Sequence, residues 1–401
     1  MELYLQFGYG MMEHCRTLLR SWGGGSVILS PRDLTDDQLL RFGSDILKIP
    51  GGDVILDPQF YLPHSDHEKL CNHAYWPSAY STTLFWQGQA LSRLLESLRD
   101  LNSRIGCSRF VLPGLFASVV DDDWAETQRS VLEEARAGSD NASLISTIAI
   151  SAEAARDENQ IADLIERTEA WKVPAYYVVC EHPNGQYLVD DPNWIANVLD
   201  LCAGLRLAGS QVILGYCTHQ MLAANVAGVN AIASGSWMNV RSFPPEKFNA
   251  TYEDEIRQRA TWYYCPQALS EYKIPFLDIA HRLGILQLMA PPPELDGGYA
   301  TALFSGAQPS TVGFGEQGAF RHYLHALHEQ VRLSNTESFD SAVADYEARL
   351  TTAETLLARL QAANIRGQLR DFAEIVDVNR AGLGLFSALR GAVLRRQWDT
   401  L

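Results

Sequence analysis

Two carboxylates follow apolar runs that have the composition of buried strands. Asp57 follows the run DVIL and precedes Pro58, and Glu181 follows AYYVVC. A carboxylate at the end of a buried strand is partly removed from water, which raises its pKa toward general acid or base use. Two such groups facing one sugar could share the breaking of a glycosidic bond. We predict Asp57 and Glu181 as catalytic residues; the alternatives are a turn-capping Asp and a salt-bridged loop acid.

Nine further residues follow the apolar runs and could bind a substrate. Each would stand where a strand gives way to a loop, which is where parallel barrels carry their functional groups. Arg32 and Arg241 could each bind a phosphate through two hydrogen bonds, or each could form a structural ion pair. The predicted substrate-binding residues are Tyr9, Arg32, Gln59, Tyr61, His219, Ser234, Ser236, Asn239 and Arg241.

Three groups of residues could be taken for metal or catalytic sites, but their spacing favours other roles. Zinc accepts every ligand type in the segment PHSDHEKLCNHAYWP (His64 to His73), yet no standard zinc spacing occurs there. The acids at 121–123 stand before a tryptophan and are typical of a helix start. His322, His325 and His328 would share one helix face. Walker, GxSxG and HExxH motifs are absent, and we predict no metal ligands.

The elements that must position these residues are eight continuous apolar runs separated mostly by amphipathic helical runs. Continuous apolar runs are expected of parallel strands that are covered on both faces. The runs are 3–8, 26–30, 53–57, 109–114, 144–150, 175–181, 211–216 and 230–236. We predict an α/β fold: a (β/α)8 TIM barrel over residues 1–245, followed by a mostly helical C-terminal extension over residues 246–401.

Composition narrows the classes of function. The chain has 401 residues, 47% of them hydrophobic, with 32 Lys and Arg against 48 Asp and Glu, a net charge of −16. That charge argues against a protein that coats duplexes and leaves room only for a local nucleic-acid site. No apolar run reaches the ~20 residues of a membrane span, and the N-terminus lacks a basic signal-peptide start. Seven cysteines without a CxxC pair indicate reduced thiols, so we expect a cytoplasmic protein.

The order of several segments resembles the tRNA-guanine transglycosylase superfamily, including its DNA-acting relatives that insert 7-deazaguanine bases. The family's strand-three motif, similar to LTDSGGFQ, corresponds to VILDPQFY with Asp57. The helix start DWAETQRS (123–130) and the stretch ILGYCTHQMLAANVAGVNAIASGSWMNVR also resemble family segments, as do the helices from Phe320 onward. The resemblance implies a barrel that exchanges a base at a glycosidic bond, with Asp57 taking part.

This chain departs from the family pattern at several functional positions. Ala233 stands where the family has its nucleophilic Asp on strand eight, and Leu115 stands near its base-reading Asp. The family's CxCxxC zinc motif and its later His are reduced to Cys265 and His281. One cysteine cannot hold a structural zinc, so zinc remains possible only elsewhere, such as the His64–His73 segment.

Three functions remain compatible with these residues. The first, our prediction, is a divergent transglycosylase that flips a tRNA or DNA base between Tyr9, Phe60, Tyr61 and Trp237. Arg390, Arg395 and Arg396 could assist its binding to nucleic acid. The second is a catalytically degenerate barrel that binds nucleic acid or assembles, as a homodimer or within a multi-protein system. The third is a sugar hydrolase, which would leave the C-terminal helices unexplained.

Overall fold

Nine short parallel strands form a nearly closed barrel in a computed structural model, which describes residues 1–138, 140–252, 260–335 and 337–401. The strands are β1 (Glu2–Gln6), β2 (Gly25–Leu29), β3 (Gly52–Leu56), β4 (Phe110–Val111), β5 (Phe116–Ala117), β6 (Leu144–Ile150), β7 (Ala175–Cys180), β8 (Gln211–Leu214) and β9 (Ala231–Ser234). Their order is β3-β2-β1-β9-β8-β7-β6-β4, and β5 also pairs with β6. Strands β4 and β5 both pair with β6 and together fill one strand position. The barrel therefore has eight strand positions, which confirms the predicted (β/α)8 fold.

Helices separate most strands, and further helices follow the barrel. They are α1 (Met12–Trp22), α2 (Asp36–Leu47), α3 (Glu68–Cys71), α4 (Ala79–Thr83), α5 (Gly88–Ile105), α6 (Asp122–Gly138), α7 (Ala152–Arg156), α8 (Glu158–Trp171), α9 (Pro192–Leu207), α10 (Ile274–Arg282), α11 (Glu316–Arg332), α12 (Phe339–Ala362) and α13 (Val376–Gln397). A 3-10 helix (His219–Ala227) follows β8 in place of an α-helix. The acids before Trp124 begin α6, as their pattern predicts.

Side chains join β3 and β4, where the strand order begins and ends. The Asp53 carboxylate on β3 accepts hydrogen bonds from Ser108 (3.0 Å) and Arg109 (3.5 Å). We call the boundary between β3 and β4 the seam. At its other end, the Phe116 N–H donates to the Tyr61 carbonyl at 2.9 Å. The seam is therefore held by local hydrogen bonds, which keep the residues after β3 at the barrel mouth.

The C-terminal region packs along the barrel and contains a hairpin that the sequence reading missed. Strands β10 (Trp262–Cys265) and β11 (Ser270–Lys273) pair antiparallel inside the region predicted as mostly helical. Helix α11 packs against β1 and α1, and α13 packs against α9. Helix α9 is consequently buried from Trp194 to Arg206. One continuous hydrophobic core includes residues from Leu3 to Leu394.

Two of the three C-terminal arginines hold helices together. Arg390 forms an ion pair with Asp200 of α9, and Arg395 forms one with Asp340 of α12 at 2.8 Å. These contacts give both side chains a structural role in the helical extension. All seven cysteines are free thiols. No α-helix within the described ranges combines the length and apolar character that crossing a bilayer requires.

Trp22 at the end of α1 anchors α11, and its loss is expected to destabilise the fold. Its ring stacks on His328 with centroids 4.1 Å apart, and its Nε1 donates to His325 Nδ1 at 3.1 Å. Since Trp22 is only partly buried, we expect Trp22→Ala to lower the free energy of unfolding by about 2 kcal/mol. Trp22→Phe keeps the stacking and should lose only about 1 kcal/mol. Urea unfolding measures both, and equal losses would contradict the stacking role.

Candidate active site

Asp57 lies fully buried at the carboxyl end of β3, inside the barrel mouth. It is 0% exposed, and its Oδ1 accepts the Gln59 N–H at 2.9 Å. Its Oδ2 accepts the hydroxyls of Tyr61 at 2.8 Å and Tyr216 at 3.4 Å. Burial raises the pKa of Asp57 to about 6, although these hydrogen bonds and the nearby Lys247 ammonium oppose the rise. Asp57 can therefore gain and lose a proton near neutral pH.

Gln59 links Asp57 to the loop after β2. Its Oε1 accepts the Arg32 N–H at 2.8 Å, and its Nε2 donates to Ser30 Oγ at 2.9 Å and to the Tyr216 hydroxyl at 3.3 Å. The Ser30 hydroxyl in turn donates to Asp33 Oδ2 at 2.7 Å. A connected set of polar groups therefore crosses the mouth, and we call Ser30, Asp57, Gln59, Tyr61 and Tyr216 the Asp57 cluster.

Two members of the Asp57 cluster have a backbone conformation that non-glycine residues seldom adopt. Gln59 has φ 53° and Tyr216 has φ 54°. Such left-handed residues are uncommon, and they concentrate at functional sites where the surrounding structure holds them. Both side chains contact Asp57 or each other, so the strained backbone directs these groups into the mouth.

A segment after β9 covers the Asp57 cluster and brings residues that the sequence reading missed. The Phe243 ring packs on Tyr61 (4.9 Å between centroids) and on Tyr216 (5.2 Å), and Phe248 packs on Tyr61 (4.8 Å). Lys247, in the same segment, is 1% exposed. No local pattern pointed to Lys247, which stands between Glu246 and Phe248, eleven residues after the end of the eighth predicted strand.

Glu181 lies at the end of β7 but in a different environment from Asp57. Its Oε2 accepts the Ala152 N–H at 3.1 Å. Burial raises the pKa of Glu181, the Ala152 hydrogen bond lowers it, and the nearby Glu246 and Glu153 raise it further. The hydrogen bonds and ion pairs of the described residues do not join Glu181 to Asp57. The hydrogen bonds of Asp57 itself come from two tyrosine hydroxyls and the Gln59 N–H, and Glu181 is not among its partners.

Arg241 belongs to a buried ion cluster and forms an ion pair there, which is one of the two roles that its pattern allowed. Its Nη1 lies 3.2 Å from Glu271 Oε2, which also binds Arg370 Nη1 at 2.8 Å. Tyr187 donates to Glu271 Oε1 at 2.6 Å, and the Arg241 guanidinium lies 3.4 Å from the Tyr323 ring centroid. Arg241 is 2% exposed and its Nη1 already faces Tyr187 and Glu271, so a phosphate would have to compete with these partners.

Three other predicted binding residues are buried, and no hydrogen bond or ring contact among the described residues joins them to the Asp57 cluster. His219, Ser234 and Ser236 are at most 2% exposed. The ring nitrogens of His219 and the hydroxyls of both serines make no well-formed hydrogen bond to the described residues. Burial lowers the pKa of His219 to about 4, so the imidazole is neutral at physiological pH. His219 lies against Tyr264 and Tyr323 beside the Arg241 cluster. His219 and Ser234 therefore face the C-terminal region, where both lie beside Tyr323 of α11.

The remaining predicted binding residues lie at different depths of the mouth. Arg32 is buried, and its Nε donates to the Lys247 carbonyl at 2.9 Å. Asn239 is half-buried, and its carbonyl accepts the Lys247 amine at 3.0 Å. Tyr9 is 72% exposed on the rim, where its carbonyl accepts the Trp237 Nε1–H at 2.9 Å. Of the aromatic residues predicted to stack on a base, only Tyr9 is largely exposed.

The histidine-rich segments have structural contacts. His73 joins Asp36 of α2 (2.5 Å) to the Pro31 carbonyl (2.7 Å), and His67 accepts the Lys69 N–H. His322 contacts the Tyr264 carbonyl at 2.8 Å. Across the described ranges, no three His, Cys, Asp or Glu side chains are grouped so as to hold a metal ion.

Stability is expected to depend on pH through Asp57. The pKa is raised from its ordinary 3.8 to about 6, so between these values the folded state keeps a proton that the unfolded state releases. The free energy of unfolding should therefore fall by about 1.4 kcal/mol per pH unit as the pH rises through this window. Asp57→Asn lacks this contribution, so urea unfolding should show its stability gaining on the wild type by about 3 kcal/mol across the window. Parallel pH profiles would contradict the assignment.

Comparisons with known proteins add little to this geometry. No model of a protein family and no curated protein matches the sequence. Among solved structures, the chain is similar to a Burkholderia cenocepacia J2315 protein provisionally described as a lyase or mutase. The two are 13% identical, with a TM-score of 0.33, and the match covers 58% of this chain and 75% of the other. A likeness this remote carries no argument about function.

Proposed function

We propose that this chain is a divergent transglycosylase-like enzyme that breaks and re-forms the glycosidic bond of a base in tRNA or DNA. The observation that carries the proposal is Asp57: a fully buried carboxyl at the mouth of a parallel barrel, held by two tyrosine hydroxyls, with a pKa of about 6. Active sites of this fold lie at that end of the barrel. The resemblance of VILDPQFY to the family's strand-three motif points to the same residue.

Asp57 would serve as the proton-transfer group of this reaction. A leaving base departs more readily when its nitrogen is protonated as the bond to the sugar breaks, and a carboxyl with a pKa near 6 can donate that proton. The carboxylate that remains after this proton transfer can then accept a proton from an incoming base. Tyr61 and Tyr216 would hold the carboxyl in one orientation through both states.

Gln59 and Ser30 would recognise the base. Amide and hydroxyl groups supply both donors and acceptors, which is what the edge of a heterocyclic base requires. In the absence of substrate these groups satisfy one another, with Gln59 Nε2 donating to Ser30 Oγ at 2.9 Å. A bound base would exchange these internal hydrogen bonds for its own. Tyr9, exposed on the rim, would offer the first stacking surface.

A catalytically degenerate binding module is the second candidate, and two observations favour it. Ala233 carries no reactive group at the position that the resemblance assigns to the nucleophile. Phe243 and Phe248 cover the Asp57 cluster, so a substrate must displace them. Such a protein would bind nucleic acid, alone, as a homodimer or within a multi-protein system, without changing it.

Incubation with labelled guanine and either tRNA or DNA tests the two candidates together. Incorporation of label into a polymer reports base exchange, and release of free base reports cleavage of the glycosidic bond. Either result on either polymer supports the enzyme. Binding of nucleic acid without exchange or release points to the binding module, and the lack of all three overturns both candidates.

A further inference from the structure

Base exchange needs a group that holds the sugar between the departure of one base and the arrival of the next. At the position where the resemblance places that nucleophile, Ala233 has only a methyl group. Glu181 interacts with Ala152, Glu246 and Glu153. The Asp57 cluster supplies a proton-transfer group but no evident nucleophile, because Asp57 itself is held by three hydrogen bonds. The segment that covers the cluster supplies a further candidate, the amine of Lys247.

Lys247 is unusual among the lysines of this chain. Lysine is seldom fully buried, because its ammonium group is strongly hydrated. Of the five lysines, Lys247 is the one that is buried, with 1% of its surface exposed, while the other four are exposed or half-exposed. The five are Lys48, Lys69, Lys172, Lys247 and Lys273. The fold therefore places one amine inside the barrel mouth.

The amine of Lys247 lies beside the Asp57 cluster, among aromatic rings. Its Nζ is 4.9 Å from the centroid of the Tyr216 ring and 5.2 Å from that of Phe248, and it donates to the Asn239 carbonyl at 3.0 Å. The hydroxyl of the same Tyr216 lies 3.4 Å from Asp57 Oδ2. Lys247 is also close enough to Asp57 to lower the pKa of that carboxyl. One tyrosine thus separates an amine from a proton-transfer carboxyl.

The backbone around Lys247 is held firmly. Lys247 belongs to the 3-10 turn Pro245–Phe248, which follows Pro244 directly. Its carbonyl accepts the Arg32 Nε–H at 2.9 Å, which ties the turn to the loop after β2. Amines held in apolar surroundings are favoured as nucleophiles, because water does not stabilise their charged form there. The position is therefore suited to covalent chemistry as well as to packing.

We propose that Lys247 is the nucleophile that holds the sugar by forming an iminium at its C1 carbon. The inference rests on the proposed base exchange and identifies its second reacting group. It assigns the covalent role to an amine from the loop after β9 instead of a carboxylate on the strand. Asp57 then has one task, the movement of protons to and from the atoms that react.

The steps balance with these two groups alone. The Asp57 carboxylate first takes a proton from the Lys247 ammonium, which leaves a neutral amine and a protonated carboxyl. The amine attacks C1; the bond from C1 to the base breaks, its electron pair stays on the base nitrogen, and Asp57 gives that nitrogen the proton. The new ammonium returns a proton to Asp57. The nitrogen lone pair then opens the sugar ring, and the ring oxygen takes that proton. The resulting iminium reverses these steps when an incoming base attacks, so no oxidant or reductant is needed for exchange.

Reductive trapping tests the amine directly. A single-stranded oligodeoxynucleotide with one abasic site presents an aldehyde at C1, and sodium cyanoborohydride converts an iminium into a stable amine. The full chain should give one covalent adduct, which peptide mass spectrometry should locate on Lys247. Lys247→Arg keeps a cation over Tyr216 but cannot form a stable iminium, and its adduct should fall to background. Lys273→Met is the matched control, since Lys273 also lies over an aromatic ring, 5.2 Å from that of Trp262, outside the cluster.

The outcomes separate this inference from the proposed function. An adduct on another lysine, or none with a folded wild-type protein, overturns Lys247 as the nucleophile. Equal base exchange by wild type and Lys247→Arg also overturns it, while base exchange itself would stand. An adduct on Lys247 without base exchange on either polymer would support the amine and overturn the exchange reaction. Circular dichroism of both variants shows whether a lost adduct reflects lost folding.

Discussion

Replacement of Asp57 by asparagine is expected to lower base exchange by about 10²- to 10⁴-fold, the usual contribution of a positioned general acid or base. Asparagine has nearly the same shape and can still accept hydrogen bonds from Tyr61 and Tyr216, but it cannot donate and accept the proton that moves during exchange. The loss should therefore appear in kcat more than in the binding of nucleic acid. Label incorporation under saturating substrate measures it.

Asp53→Asn provides the matched control for this prediction. Asp53 lies on the same strand as Asp57 but at the opposite end of the barrel, where it contacts Ser108 and Arg109. That face of the fold supports stability rather than chemistry. We expect base exchange by Asp53→Asn to match the wild type. Equal losses in both variants would show that the effect comes from the strand and not from the carboxyl at the mouth.

Replacement of Glu271 by glutamine is expected to lower the free energy of unfolding by about 3–5 kcal/mol. Glu271 is 2% exposed and faces two guanidiniums, those of Arg241 and Arg370. Burial alone would raise its pKa, but the two arginines hold the pKa of Glu271 at about 2. Glutamine has no charge, so both cations would lose their buried counterion. Urea unfolding at neutral pH measures the loss.

The pH dependence of the same group gives an independent check. Because the folded pKa lies below the ordinary value of 4.5, the stabilisation is present above about pH 4.5 and is lost as the pH falls toward about 2. The difference between wild type and Glu271→Gln should therefore shrink in acid. Glu354→Gln, which removes an exposed partner of Arg380, should leave the unfolding midpoint nearly unchanged. A similar loss in the two variants would contradict the role of burial.

The part of the candidate site that could be predicted lies close to Asp57 in the chain. Gln59 and Tyr61 follow Asp57 within four residues, so a strand ending at Leu56 carries all three to the mouth together. The rest of the site comes from elsewhere. Tyr216 follows β8, and Lys247 arrives on a turn after the last barrel strand. No local pattern predicts which distant loop covers which strand.

Other predicted residues lie outside the Asp57 cluster. Their position at the end of a strand does not determine whether the side chain points into the barrel or toward the surrounding helices. Successive side chains of a strand point to opposite sides. Ser234 at the end of β9 lies beside Tyr323 of α11, on the helix side of the strand, and Arg241 pairs with the missed hairpin residue Glu271. The hairpin strands are short and aromatic, and their pairing depends on packing against the helices rather than on a strong alternation.

The sequence by itself determined the eight strands, the (β/α)8 barrel and the position of Asp57 at its mouth. Those features depend on apolar runs and on residues adjacent in the chain, so the local sequence is enough to predict them. Only the tertiary structure decided that Asp57 meets Tyr216, that Lys247 lies buried beside them, and that Arg241 serves an internal ion cluster. Those pairings join residues up to about 190 positions apart, and they arise when burial of one continuous core brings loops and helices together.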